Sequence, residues 1–189
     1  MGNFVDFRAG TVNSFSSEYF QGLSQYRHRV FVEMLGWELQ CEHGIETDQF
    51  DRNDTVYVVA HDDASEIIGL GRLLPTTKPY LLGEVFPELL NGKTPPSSPD
   101  VWELSRFAAV DFNANATSAL GQFSSEIAIE LLHQSIATAR AHGAKELITV
   151  SPLGIERLLR RAGFKAHRAG PPKMYGRHAV FANVIDCLA

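Results

Sequence analysis

The chain has 189 residues, 44% of them hydrophobic and 21% charged, with a formal net charge of −5 at pH 7. These are ordinary globular values, so disordered, collagen-like and disulfide-scaffold classes are excluded, and one domain spanning residues 1–189 with a core of its own is expected. No apolar run approaches the ~20 residues of a membrane span, and no secretory leader pattern opens the chain. Asp6 stands where a myristoylation motif starting at Gly2 needs Ser or Thr. Cys41 and Cys187 have no metal or redox spacing, so the expectation is a cytoplasmic protein with free thiols and no metal.

Phe20, Leu23, Arg27, Val30, Phe31 and Met34 recur at helical spacing, which predicts an amphipathic helix over 16–35, capped by Ser16 or Ser17 and stopped by Gly36. Residues 36–54 are acidic and aperiodic, hence a loop. Residues 55–60 and 66–74 are β-branched and apolar and predict a hairpin closed by Pro75. The prolines of 87–100 predict a loop, and 102–110 another strand. A long helix follows over 117–141, ending near Gly143, then a strand at 146–150, a helix at 154–162 with Gly163 past its end, and a strand at 179–188. A strand-rich first half followed by β–α–β predicts an α/β class with a mixed central sheet and helices on both faces. That is the order of an acetyltransferase-like α/β/α sandwich.

Charge is uneven. Residues 140–178 hold nine basic and two acidic side chains, while the rest is strongly acidic. One basic region on an acidic protein is a poor nucleic-acid footprint but suits either an acidic protein partner or a solvated helix face. Three polar clusters carry candidate chemistry. Glu46, Asp48 and Asp51 either bind a cation or amine or form a solvated acidic loop; the calcium-loop pattern is absent. Arg72 lies inside an apolar strand and either pairs with Asp48 or Asp51 or points to water from an edge. In Trp102–Phe107, alternation places Glu103, Ser105 and Phe107 on one face and Trp102, Leu104 and Arg106 on the other, unless a bulge intervenes. Glu103 is then either a base whose pKa apolar neighbours raise, or one half of an ion pair. His133 reads as a half-buried packing residue, and Cys41 as a nucleophile with no base tied to it. Nucleophile-elbow, phosphate-loop and zinc-protease motifs are absent.

Taken in order, Arg27-x-x-Val30-Phe31, Trp37, Glu46-x-Asp48-x-x-Asp51, Gly69-x-Gly71-Arg72-Leu73-Leu74-Pro75-Thr76-Thr77, Pro79-Tyr80-Leu81-Leu82, Phe86 and Trp102-Glu103-x-Ser105-Arg106-Phe107 resemble the acyl-homoserine-lactone synthase (autoinducer synthase) family. The resemblance continues through Ile148-Thr149-Val150-Ser151, Gly154-x-Glu156-Arg157 and Ala162-Gly163. It implies the acetyltransferase-like fold and a cofactor-free reaction in quorum-sensing signal synthesis. In that reaction S-adenosylmethionine is acylated from acyl carrier protein and then lactonised, releasing methylthioadenosine.

On that basis Glu103, Arg106 and Asp48 are the candidate catalytic residues. Arg27, Phe31, Trp37, Asp48, Arg72, Phe86 and Arg106 are candidates for holding S-adenosylmethionine, and Asp51 and Arg72 for a structural pair. An N–H near Phe86 or Ser105 is the candidate oxyanion donor. Leu104, Ser105, Phe107, Leu120, Phe123, Ile127, Ile148, Val150 and Ser151 are candidates for the acyl pocket, each also a plausible plain core residue. Many relatives carry Thr at the Ser151 position, where it accompanies 3-oxo chains, so Ser151 points to a chain unsubstituted at C3. Lys145, Arg157, Arg160, Arg161 and Lys165 are the expected docking face for acyl carrier protein; neither nucleic acid nor membrane is expected as a partner. The alternatives are a general N-acyltransferase using acyl-coenzyme A, against which the glycine pattern missing from 112–122 argues, and a binding module without turnover.

Overall fold

A computed structural model describes residues 5–113 and 126–189. Its strands hydrogen-bond in the order β1-β2-β3-β4-β5-β8-β6, with β7 also on β8. They are β1 (Asp6–Thr11), β2 (Val56–His61), β3 (Ile67–Pro75), β4 (Val101–Ala109), β5 (Glu146–Pro152), β6 (Ala166–Arg168), β7 (Lys173–Tyr175) and β8 (His178–Asp186). The sheet is mixed: β4 and β5 run parallel, whereas β1 on β2 and β5, β6 and β7 on or beside β8 pair antiparallel. The α-helices are α1 (Ser17–Arg27), α2 (Leu81–Val85), α3 (Glu126–Ala141) and α4 (Leu153–Arg161). None of the described helices is long and apolar enough to cross a membrane.

The chain divides into two compact units. The first comprises residues 1–72 and 106–132. Ser16 caps α1 by accepting from the Tyr19 N–H at 3.2 Å. The predicted helix over 16–35 does not stay α-helical: from His28 to Met34 it widens into a π-helix, with the Leu35 N–H donating to the Val30 carbonyl at 3.0 Å. The apolar period cannot register this change, because a π turn in so short a run keeps the same residues on the buried face. Leu23, Tyr26, Val30 and Phe31 pack with Tyr57 and Val59 of β2, Leu70 of β3 and Ala108 of β4 to form the core. Every residue of β2 is buried, which is why its sequence is a run of β-branched and aromatic residues rather than an alternation. The acidic loop that follows the π segment is ordered by its own polar groups. The Glu46 N–H donates to the Ser24 carbonyl at 3.1 Å, and the Thr55 hydroxyl to the Phe50 carbonyl at 2.6 Å.

The second unit comprises residues 73–105 and 133–189. The register of β5 on β8 runs from Glu146 opposite Asp186 to Pro152 opposite Val180. Helix α4 buries Ile155, Leu158 and Leu159. It ends in a Schellman motif: Gly163 takes φ +81, and the Phe164 N–H donates to the Leu159 carbonyl at 2.9 Å. The loop expected over 87–100 begins with a 3₁₀ turn, Pro87–Leu90, preceded by the unpredicted α2. Helix α3 supplies the described part of the predicted long helix; Leu120 and Phe123 lie outside the described residues. His133 is exposed rather than half-buried, with its ring 4.6 Å from that of Phe164.

Candidate active-site clusters

Six charged side chains of the first unit gather around the acidic loop. Asp51 is the hub. Its Oδ1 accepts from Arg27 Nη1 at 2.7 Å, from Arg72 Nη1 at 2.9 Å and from the Tyr57 hydroxyl, while its Oδ2 accepts from the Asp48 N–H at 2.7 Å. Arg72 Nη1 also donates to Asp48 Oδ1 at 2.6 Å. Glu46 accepts from Arg27 Nε and, on both oxygens, from Arg106 at 2.9 and 3.1 Å. Arg106 Nη2 also reaches Asp48 Oδ2 at 3.0 Å. Three guanidinium groups thus face three carboxylates, the balance that burying so many charges demands.

The loop brings its carboxylates inward because each has a separate task. Asp48 closes a turn by accepting from the Phe50 N–H at 2.9 Å, and Asp51 closes the next by holding the Asp48 N–H. Burial alone would raise the Asp51 carboxyl, but Arg27 and Arg72 outweigh it and hold it far below the carboxylate range. Glu46 is likewise lowered, burial being overcome by Arg106 and Arg27. Only Asp48 of the three has a reachable side chain, 17% exposed against 1% for Glu46 and 4% for Asp51. Phe31 and Trp37 stack with centroids 4.9 Å apart, and the Arg106 guanidinium that reaches Asp48 lies 5.6 Å from the Phe31 ring and 5.9 Å from that of Trp37. The Trp37 N–H donates to the Phe31 carbonyl at 2.9 Å, so the π segment sets the stack.

Arg106 owes its direction to backbone strain. It takes φ +50 within β4, a left-handed conformation that costs a non-glycine residue about 1–3 kcal/mol. This interrupts the simple alternation expected along 102–107 and turns the guanidinium into the carboxylates, whose bonds offset the cost.

In the second unit Glu103 is fully buried on β4. Its carboxylate accepts from the N–H groups of Leu81 and Leu82 at 3.0 and 2.6 Å, the first two of α2. Tyr80, at the cap position, offers that helix no side-chain bond, so Glu103 caps it from another strand. The arrangement fixes both carboxylate oxygens. Phe86 ends α2 with its ring edge-on to Tyr175 at 5.0 Å, and its N–H donates to the Leu82 carbonyl at 3.2 Å. That N–H is engaged in the helix.

Among the acyl-pocket candidates, Leu104, Ser105, Ile148 and Ser151 are buried and Val150 half-buried in the second unit; Phe107 and Ile127 are half-buried in the first. The Ser151 hydroxyl bonds that of Thr149, a buried neighbour two residues back on β5 to which the sequence reading gave no role. A cavity of about 410 Å³ on this unit, lined by Glu146, Phe164, Lys165 and Asp186 among others, contains none of these side chains. Lys145, Arg157, Arg160, Arg161 and Lys165 are all exposed, and Lys145 is paired with Asp100 at 2.8 Å.

Cys41 does not fit a nucleophile, because burial and then the Glu46 charge raise its thiol pKa. No His, Cys, Asp or Glu group among the described residues is arranged to hold a metal. Sequence reasoning missed Glu46 as a bridge and Tyr57 altogether. The available signal was Tyr57 itself, a hydroxyl set among the valines and alanine of 56–60.

The family model described as "Autoinducer synthase" matches residues 12–189. An acyl-homoserine-lactone synthase of Acinetobacter nosocomialis is 58% identical over 178 residues, 94% of this chain and 97% of that protein. The crystal structure of TofI in a ternary complex with an inhibitor and MTA superposes with a TM-score of 0.83 at 42% identity, covering 96% of this chain and 91% of that one. BjaI, a CoA-dependent acyl-homoserine lactone synthase solved with SAM and isopentyl-CoA, reaches 0.81 at 27% identity, covering 98% and 84%. Escherichia coli ElaA shares the fold at 11% identity, with a TM-score of 0.68 over 96% of this chain and 99% of that one.

Proposed function

Because the chain belongs to the autoinducer synthase family and is an acyl-homoserine-lactone synthase, we propose that it acylates S-adenosylmethionine from acyl carrier protein, with a chain unsubstituted at C3. The amine of S-adenosylmethionine loses a proton and attacks the acyl thioester, and the carrier thiol leaves. The methionyl carboxylate oxygen then displaces the sulfonium, closing the lactone and releasing methylthioadenosine. Asp48 binds the substrate ammonium, and Phe31 and Trp37 supply the aromatic face that a sulfonium favours. Arg106 and Arg27 hold their carboxylates in place and set a positive edge for the substrate carboxylate. Glu103 takes the proton, directly or through water. The observation that supports this reading most is the accessibility of Asp48. In a cluster whose other carboxylates are buried, Asp48 alone keeps 17% of its side chain exposed, and the Arg106 guanidinium it bonds lies over Phe31 and Trp37.

The choice of acyl carrier protein is supported by the exposed arginines of α4 and by Lys145 and Lys165, which suit an acidic protein. Acyl-coenzyme A is the second reading, favoured by the CoA dependence of BjaI. The unsubstituted chain is supported by Ser151, whose hydroxyl is already engaged with Thr149. Purified enzyme incubated with S-adenosylmethionine and one acyl group presented on each carrier tests the reading. Acyl-homoserine lactone and methylthioadenosine should appear in equal amounts, with the higher kcat/KM on acyl carrier protein. A higher value on coenzyme A would select the second reading. Replacing Glu103 by Gln should abolish turnover and leave S-adenosylmethionine binding intact; retained turnover would remove Glu103 as the base.

A further inference from the structure

Tyr57 is fully buried on β2, directly opposite Gly10 of β1, and its ring packs edge-on against Phe20 at 5.9 Å. The strand and this aromatic contact fix where its hydroxyl lies, and that hydroxyl donates to Asp51 Oδ1. The same oxygen accepts from Arg27 and Arg72, and Arg72 Nη1 is shared between Asp51 at 2.9 Å and Asp48 at 2.6 Å. That nitrogen carries two hydrogens, one for each carboxylate, so Asp51 and Asp48 are tied through a single guanidinium nitrogen. By holding Asp51 Oδ1, Tyr57 fixes the position of the Arg72 nitrogen that in turn holds Asp48. A phenol suits this task better than another cation. It donates a hydrogen bond without adding positive charge, so the three-against-three balance of the cluster is kept and Asp48 retains its attraction for a cation.

We propose that Tyr57 is a positioning residue for substrate binding: by holding Asp51 it fixes the Arg72 nitrogen that orients Asp48 toward the ammonium group of the substrate. This rests on the reading of Asp48 as the ammonium site. Burial, followed by the Asp51 charge, pushes the Tyr57 phenol well above its ordinary range, so the group remains a donor at any pH the enzyme meets.

The test is Tyr57→Phe, which removes one oxygen and leaves Asp51 with its three other donors. The KM for S-adenosylmethionine, and its dissociation constant by calorimetry, should both rise about tenfold, the scale of one lost hydrogen bond to a charged group. The KM for the acyl donor should stay within about twofold, since Asp48 is read as holding only the amine substrate. A folded variant with wild-type affinity for S-adenosylmethionine overturns the proposal, as does a variant that loses kcat alone, the mark of a purely structural role. If Tyr57→Phe does not fold, 3-fluorotyrosine placed at position 57 keeps the ring and alters only the strength of the donor; an unchanged affinity there overturns the proposal equally. Wild-type enzyme that neither binds S-adenosylmethionine nor makes lactone sinks the reading of Asp48 and this inference together. Wild type that does both while Tyr57→Phe matches it sinks this inference alone.

Discussion

Arginine does opposite work in the two units. Arg27 and Arg72 are among the most deeply buried side chains of the first unit, whereas Arg157, Arg160 and Arg161 stand on the exposed face of α4 in the second. The first pair is held by Asp51, a carboxylate that has itself left water, so each partner is indispensable to the other. The second group stays hydrated and keeps its charge available at long range. Burial determines whether a guanidinium is structural cement or a steering charge.

The largest effect expected from this contrast is on stability. Arg72→Met should cost about 3–5 kcal/mol in urea unfolding, because it strands Asp51 and Asp48 beside one fewer cation. A loss comparable to that of an exposed arginine would mean the cluster is hydrated in solution and would erase the distinction. Acid should act on the same cluster. Glu46 and Asp51 titrate below their ordinary values of 4.5 and 3.8. The unfolded chain therefore takes up more protons as the pH falls through those values. Their contribution is fully present at neutral pH and is lost progressively below about pH 4.5. Urea unfolding from pH 7 down to pH 3 checks the sign: stability that rises on acidification would contradict it.

A smaller and different effect is expected on α4. Changing Arg157, Arg160 and Arg161 to Ala together should leave the melting temperature and the KM for S-adenosylmethionine where they were. The KM for acyl carrier protein should rise, more at low salt than at high salt. A change in all three quantities would show that the helix face is structural. The smallest effect belongs to Glu156→Gln, which breaks the exposed pair with Arg168 at 2.6 Å and should leave both stability and activity unchanged.

The sheet was legible where burial leaves a pattern. β2, β3, β4, β5 and β8 were found within one or two residues, and so was α4, whose apolar and basic faces alternate at helical spacing. β6 and β7 were not, being three residues long and largely exposed, with no apolar signal to read. Nor was α2, whose five residues are too few for a period and whose start is stabilised by Glu103, a residue 21 positions away from Leu82. The acidic loop showed its chemistry, but not which carboxylate does what. Local spacing treats Glu46, Asp48 and Asp51 alike, and they differ only in which guanidinium groups arrive from α1, β3 and β4.

By itself, then, the sequence determined the class of fold, the strands and helices that bury a face, and a set of residues resembling one family, because periodicity and residue type are local properties of a chain. Tertiary structure alone decided that Asp51 is sealed and Asp48 reachable, that Arg106 bends out of its strand to meet Glu46, and that Tyr57 takes part. Those outcomes depend on donors drawn from as far as 60 residues along the chain to a single oxygen, where desolvation makes each bond conditional on the others.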